Sequence, residues 1–141
     1  LLETHVISAI APFLLCSGLK ASLCRSDSPD RYIVNVSAME GVFNYVGKTP
    51  RHPHTNMAKA ALNMLTRTSA ADYATSGIFM VSVDTGWITD ENPEPSRQQT
   101  EFVPPLTAAD GASRVVAPIL DGVRGAPVSG VMLKDHRPID W

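Results

Sequence analysis

Apolar positions recur at three- and four-residue spacing over the first 23 residues of the chain. The positions that carry this pattern are Val6, Ile7, Ile10, Phe13, Leu14 and Leu19. The spacing predicts one helix from about Leu2 to about Leu23, with Pro12 as its one defect. Because the stripe is wide and apolar, we expect this helix to lie in the core.

Short apolar runs alternate with helical patterns along the rest of the chain. The runs Tyr32 to Val36 and Ile78 to Val83 predict strands that are buried on both faces. Between them, Thr55 to Ala74 has the spacing and the Ala-, Leu- and Met-rich composition of a helix. A third helix is predicted from Asp110, and a third strand, Val128 to Leu133, follows it.

This order of elements predicts the fold class. Strands that alternate with helices are joined by right-handed crossovers into a parallel sheet with helices on both faces. We therefore expect a three-layer α/β fold, in which residues 1–141 form a single domain or a fragment of one. Residues 91–106 are rich in proline and predict a long loop of the kind that is often functional.

Composition and charge exclude several classes of protein. The chain carries 12 basic and 14 acidic side chains, so we expect no nucleic-acid partner. Glu3, His5, Pro12 and Lys20 interrupt the first apolar segment, which predicts no membrane span. The two cysteines, Cys16 and Cys24, lie in one predicted helix. They argue against a disulfide framework and predict a cytoplasmic location.

Three motifs bear on function, and each lies at the end of a predicted strand or the start of a predicted helix. They are Val34–Gly41 (VNVSAMEG), Thr55–Leu62 (TNMAKAAL) and Ser82–Thr89 (SVDTGWIT). Together they resemble the short-chain dehydrogenase/reductase family over nearly the whole chain. The resemblance implies a Rossmann-like, doubly wound sheet of which this chain is the second half. It also implies NAD or NADP as the cofactor and an oxidoreductase lineage.

The same resemblance assigns candidate catalytic positions, most of which carry another residue here. The serine of the family falls at Ala38, with Ser37 before it, and the tyrosine falls at Thr55. The helix-borne asparagine falls near Ser8, so only Lys59 is retained. An aliphatic hydroxyl is shorter and far less acidic than a phenol. We therefore expect no conventional Ser-Tyr-Lys proton transfer.

The resemblance further implies which residues would meet the cofactor. Lys59 would hold a ribose hydroxyl, and the turn Thr85-Gly86 stands where the family has Pro-Gly. Trp87 and Thr89 would line the nicotinamide pocket beside that turn. The sequence has no Gly-rich turn between a first strand and a helix, which is where the pyrophosphate would bind. We therefore expect that the chain alone does not bind NAD(P) tightly.

Partners are also implied by the resemblance. In the family, helices at the positions of residues 2–23 and 55–74 pack against their copies, so we expect a homodimer or homotetramer. The strand that should pair beside Tyr32 to Ser37 is not encoded, which predicts an apolar sheet edge. A missing N-terminal half, or another chain, would cover it.

Several functional alternatives stay open. The chain is a reductase with an unconventional proton donor, or a non-catalytic pseudoenzyme that keeps the scaffold as an oligomeric interaction module. His52, His54 and Tyr45 are candidate donors, while a metal site is not expected because the two histidines lack a third ligand nearby. A remote alternative is a dimeric aspartic protease built on Asp84-Thr85-Gly86, although that fold is nearly all β.

Overall fold

The structure is a computed structural model in which residues 1–89 and 103–141 are described. Its helices are α1 (Leu2–Cys24), α2 (Pro53–Ala74) and α3 (Ala108–Val123). Its strands are β1 (Arg31–Ser37), β2 (Ile78–Asp84), β3 (Met132–Lys134) and β4 (Arg137–Ile139), and a 3₁₀ turn, Met39–Gly41, follows β1. The three predicted helices and the first two predicted strands are confirmed, with small differences at their ends.

The described strands form one sheet in the order β1-β2-β3-β4. β1 pairs with β2 and β2 with β3 in parallel, whereas β3 and β4 are antiparallel. The third predicted strand therefore begins later than expected and returns as a hairpin. Its turn residues, Asp135 and His136, both have positive φ, as tight hairpins often require. The sequence pattern missed β4 because Asp-His is not a glycine-containing turn signal.

Helices pack on both faces of the sheet, which confirms the predicted three-layer α/β fold. On one face, Ile78 and Met80 of β2 pack with Cys16 of α1 and with residues of α2. On the other face, Val81 and Val83 pack with Leu133 of β3. α3 lies on this second face, where Gly122 is so close to the Tyr32 ring that a Cβ atom would collide with it.

A capping box begins α3. Thr107 accepts a hydrogen bond from the Asp110 backbone N–H at 3.2 Å, and its own backbone N–H donates to the Asp110 carboxylate at 2.7 Å. The hydrogen bond from the Thr107 backbone, together with that from its hydroxyl, lowers the pKa of Asp110. This cap places the start of α3 at Ala108, two positions before the predicted one.

Pro12 widens α1 without ending it. Proline has no backbone N–H, so the Ser8 carbonyl lacks its donor four residues later. The preceding turn, Val6–Ile10, is π-helical, and the Ala11 N–H donates to the Val6 carbonyl five residues back. A π-turn is a common way for a helix to continue past such a defect.

α1 is far more exposed than its apolar pattern predicts. Cys16 is its one buried residue, and Phe13 and Leu14 are 55% and 59% exposed. By length and composition alone this helix would qualify as a membrane span, with a mean hydropathy of 1.7. The prediction that α1 is a core helix is therefore wrong for this chain by itself. In the described residues, its inner face contacts the sheet and α2, and nothing packs on its outer face.

β1 is an open edge of the sheet. The Arg31 N–H donates to the Gly77 carbonyl at 3.0 Å, so odd-numbered residues of β1 direct their backbone groups toward β2. The backbone N–H and C=O groups of the even-numbered residues, Tyr32, Val34 and Val36, point away from β2. Within the described part of the chain, the Lys59 ammonium is the donor recorded at this edge, and it donates to the Val36 carbonyl at 3.0 Å.

A groove of about 480 Å³ runs along this edge, between α1 and the start of α2. Its lining is mostly apolar and includes Ile7, Leu15, Leu19 and Val34. The opposite edge of the sheet, β4, is only three residues long and contains Arg137 and Pro138, both of which discourage strand pairing. Among residues 1–89 and 103–141, nothing comparable protects the centre of β1.

Hydrogen exchange tests the open edge. We expect the amides of Val34 and Val36 to exchange roughly fivefold or more faster than those of Ile33 and Asn35, because a hydrogen bond contributes about 1 kcal/mol of protection. Amide exchange followed by NMR in the 141-residue chain measures this. The central strand β2 is the internal control, since its amides have partners on both sides. Equal protection of even and odd residues in β1 would show that the edge is covered.

Candidate functional site

The carboxyl ends of β1 and β2 meet at one edge of the sheet. Ser37, the last residue of β1, is paired in register with Asp84, the last residue of β2. The turns that leave these strands therefore begin side by side, one with Ala38 and the other with Thr85. Ligands of open α/β sheets bind outside the carboxyl ends of the strands. This edge is the candidate site.

A buried polar network fixes α2 against both strands. The Asn35 amide and the Ser82 hydroxyl each donate to the Thr66 hydroxyl oxygen, at 2.9 and 2.8 Å, and Thr66 donates to the Leu62 carbonyl at 3.3 Å. All four residues are buried. Because buried polar groups must find partners, this network specifies one position of the helix along the sheet.

Lys59 lies two turns before Thr66 and is carried to the end of β1. Its ammonium donates to the carbonyl of Val36, next to the last strand residue. The turn after β1 packs directly on the helix at this point. A Cβ atom on Gly41 would lie 2.5 Å from the Lys59 carbonyl carbon and 2.8 Å from the Ala60 nitrogen. Glycine at position 41 therefore permits the approach that places Lys59.

The two hydroxyl candidates, Thr55 and Ser37, occupy different environments. Thr55 is in the first turn of α2, half-buried, with its N–H donating to the His52 carbonyl at 3.0 Å. It is four residues before Lys59 and so on the same helix face. Ser37 is 3% exposed, and its hydroxyl has no hydrogen-bond partner among the described residues. Ala38 is half-buried and presents a methyl group beside it.

A second lysine, which the sequence analysis did not single out, braces the loop between β1 and α2. The Lys48 ammonium donates to the carbonyls of Glu40 and Met39 and, at 2.9 Å, to the Asn56 side-chain oxygen. It therefore ties the turn after β1 to the start of α2. Its lone position in a loop offered no pattern that would have identified it.

The other candidate donors lie in this loop and at the helix start. The rings of His52 and His54 are 6.1 Å apart at their centroids, and Tyr45 is exposed. Across residues 1–89 and 103–141, no three His, Cys, Asp or Glu side chains come close enough to hold a metal ion. Both cysteines are free thiols, and burial raises the pKa of Cys16.

The turn after β2 is built around Gly86. Its φ is +71°, and a Cβ atom there would lie 2.6 Å from the Leu106 side chain, so only glycine fits without strain. Trp87 follows, 65% exposed, with its carbonyl accepting the Leu106 N–H at 3.3 Å. Thr89 is exposed and ends the first described range. Most of the loop predicted for residues 91–106 lies outside the described residues.

Asp84 is a site residue whose contacts the sequence analysis missed. It is 5% exposed, and its carboxylate accepts the backbone N–H groups of Gly86 at 2.5 Å and Met39 at 2.8 Å. The Lys134 ammonium is 3.7 Å away. A carboxylate at the end of an apolar strand was the available signal. Its partners, however, come from a different part of the chain and required the fold to be known.

Comparison with known proteins identifies the fold. No protein-family profile matches the chain. An uncharacterised protein of Acanthamoeba polyphaga mimivirus is 40% identical over 100 residues, which are 65% of this chain and 21% of that protein.

Solved structures cover nearly all of the chain. The NADPH-bound carbonyl reductase from chicken fatty liver matches with a TM-score of 0.73 and 24% identity, over 99% of this chain and 56% of that one. The Drosophila melanogaster carbonyl reductase Sniffer matches with a TM-score of 0.75 and 20% identity, over 100% and 57%. A carbonyl reductase from Pseudomonas aeruginosa matches with a TM-score of 0.67 and 20% identity, over 95% and 52%.

These comparisons confirm the predicted fold class. The chain has the fold of the short-chain dehydrogenases/reductases and spans about half the length of the solved structures that it matches. It spans about a fifth of the mimivirus protein.

Substitution of Gly41 tests the packing that places Lys59. We expect Gly41→Ala to lower the free energy of unfolding by about 1–3 kcal/mol, because the new methyl meets backbone atoms that cannot move aside easily. Urea denaturation of the 141-residue chain measures the change.

Gly18→Ala is the matched control. Nothing lies within 4 Å of a Cβ atom at that exposed helical position. Alanine there should stabilise by about 0.5–1 kcal/mol. Equal effects of the two substitutions would contradict the packing.

Proposed function

We propose that this chain is the second half of an NAD(P)-linked, oxidoreductase-type domain in which Lys59 holds the ribose next to the nicotinamide. The observation that carries the proposal is the position of the Lys59 ammonium, at the carboxyl end of β1 beside the turn that begins with Ala38. A positioned ammonium with several donors suits a ribose hydroxyl. The NADPH-bound state of the chicken reductase supports the choice of cofactor.

The described residues fit one end of such a cofactor. Lys59 offers donors, and the Thr85-Gly86 turn offers backbone close to the same sheet edge. When bound, NAD(P)H would supply the hydride, while these residues bind and orient its nicotinamide end. The sequence lacks the Gly-rich turn that would receive the pyrophosphate. Tight binding therefore needs a first half of the domain.

Proton transfer is the step for which this chain is poorly equipped. Ala38 has no hydroxyl, and Thr55, which stands where the resemblance places a tyrosine, has a shorter and far less acidic hydroxyl than a phenol. His52, His54 and Tyr45 remain candidate donors. If none of them serves, the domain is a pseudoenzyme that keeps the nucleotide-binding geometry without the chemistry. The protease alternative finds no support, because the Asp84 oxygens accept backbone N–H groups in a parallel α/β sheet.

Nucleotide titration tests the role of Lys59. We expect Lys59→Ala to raise the dissociation constant for NADPH or NADH at least about tenfold in the longest natural form of the protein, equivalent to about 1.4 kcal/mol. Fluorescence or calorimetric titration measures this. Lys20→Ala is the control, since Lys20 pairs with Asp72 at 2.5 Å instead of facing the site. Unchanged affinity in Lys59→Ala would refute the role. Sub-micromolar binding by the 141-residue chain alone would refute the need for a first half.

We infer that the exposed apolar face of α1 and α2 binds a second copy of the chain. Phe13 and Leu14 of α1 and Met57 and Met64 of α2 contribute to it, each more than half exposed. The two helices contact each other through Lys20 of α1, which pairs with Asp72 of α2 and lies 4.4 Å above the Tyr73 ring. A large apolar patch of this kind marks an interaction surface. It also supports the alternative function as an oligomeric interaction module.

Light scattering after size-exclusion chromatography tests this surface. We expect a dimer or tetramer for the wild-type chain at high concentration and a monomer for Phe13→Glu, because a buried, unpaired carboxylate strongly opposes association. Val116→Glu, at a partly exposed apolar position on α3, is the control and should leave the assembly intact. A wild-type chain that is monomeric at every concentration contradicts the proposal. Binding to phospholipid vesicles without self-association would assign the face to a membrane surface.

A further inference from the structure

Asp84 lies between the two turns of the candidate site, yet nothing in the proposed function uses it. It ends β2, and its side chain is almost completely removed from solvent. Burying a carboxylate is unfavourable unless hydrogen bonds and an opposite charge compensate for lost hydration. Its partners therefore show what the fold gains from keeping a charge at this position.

Those partners come from three neighbouring strand ends. One carboxylate oxygen accepts the Gly86 N–H, in the turn after β2, at 2.5 Å. The other accepts the Met39 N–H, in the turn after β1, at 2.8 Å. Lys134, at the end of β3, lies 3.7 Å from that second oxygen and is partly exposed. Charge-assisted hydrogen bonds to backbone N–H groups are stronger than neutral ones, so Asp84 locks both turns.

These bonds act at the residues that border the site. Met39 directly follows Ala38, and Gly86 directly follows Thr85. A proline at position 85 would set the backbone φ of that residue near −65° covalently. Thr85 has no such restraint, so the turn needs another one. The hydrogen bond from Gly86 to Asp84 spans this residue and supplies it.

We propose that Asp84 is a positioning residue whose carboxylate restrains the turn after β2 and joins it to the turn after β1 at the site. Its effect on a bound nucleotide rests on the proposed function, whereas its effect on the turns does not. The two hydrogen bonds, from Gly86 and from Met39, restrain different turns. The bond to Gly86 orders the turn after β2, and the bond to Met39 holds the turn after β1 against it.

Amide proton shifts test the two bonds in the 141-residue chain without nucleotide. In the wild type, the amide protons of Gly86 and Met39 should lie downfield, as expected for N–H groups bound to a carboxylate. Asp84→Ala should move both upfield. Asp84→Asn keeps the shape of the side chain and has one oxygen acceptor, so it should retain one bond and serves if Asp84→Ala fails to fold. Unchanged shifts in both variants would overturn the proposal.

A proline at position 85 tests whether a fixed backbone φ can replace the hydrogen bond from Gly86 to Asp84. Asp84 is in extended β-strand conformation, which is the conformation that a residue before proline prefers. In a Trp141→Phe background, Trp87 is the one remaining tryptophan and reports on the turn through acrylamide quenching. Asp84→Ala should increase quenching, and added Thr85→Pro should reverse most of that increase. The Met39 amide shift should stay upfield in the double variant.

The matched control is Asp72→Ala, which removes an exposed, lysine-paired aspartate far from the turns. It should change neither the Trp87 quenching nor the two amide shifts. If Thr85→Pro fails to reverse the quenching in Asp84→Ala, the role of Asp84 as the restraint on the turn after β2 is refuted. In the longest natural form, Asp84→Ala should weaken NADPH binding at least about fivefold, or about 1 kcal/mol. If the wild type binds no nucleotide but the turn measurements hold, only the proposed function fails.

Discussion

The parallel pairing of β1 with β2 is the constraint on which the rest of the structure depends. Its register places Ser37 beside Asp84, so that two turns far apart in sequence leave the sheet together. The Thr66 hydroxyl, bonded from both strands, then sets α2 against this pair of strands. The positions of Lys59 and of the two turns follow from these two relations. A shift of one residue in the register would turn either Asn35 or Ser82 away from Thr66.

The chain combines hydrogen-bonded turns at the candidate site with exposed apolar surfaces elsewhere. Hydrogen bonds hold the turns around the strand ends, through Asp84 on one side and Lys48 on the other. In contrast, β1 has an open edge, and α1 exposes most of its apolar side chains. The chain spans about half the length of the solved structures that it matches.

Two glycines maintain the packing around the candidate site. Gly41 allows the turn after β1 to approach the Lys59 backbone, and Gly86 adopts a positive φ against Leu106. Packing constraints of this kind act through the backbone, so they do not depend on which side chains stand at positions 38 and 55. They are therefore compatible both with the proposed nucleotide binding and with the pseudoenzyme alternative.

The helices, the two long strands and the α/β class could all be predicted from apolar periodicity, because that periodicity reflects local burial. Lys59, Thr55 and the turn at Gly86 could be named as candidates by resemblance, since these residues lie in contiguous motifs. Three features became visible only in the folded chain: Asp84 binds the Met39 N–H, Lys134 approaches Asp84, and α1 is mostly exposed. Those outcomes depend on pairs of residues 45 or more positions apart, or on whether a partner surface is present. A one-dimensional pattern records which residues prefer burial but not which groups they meet.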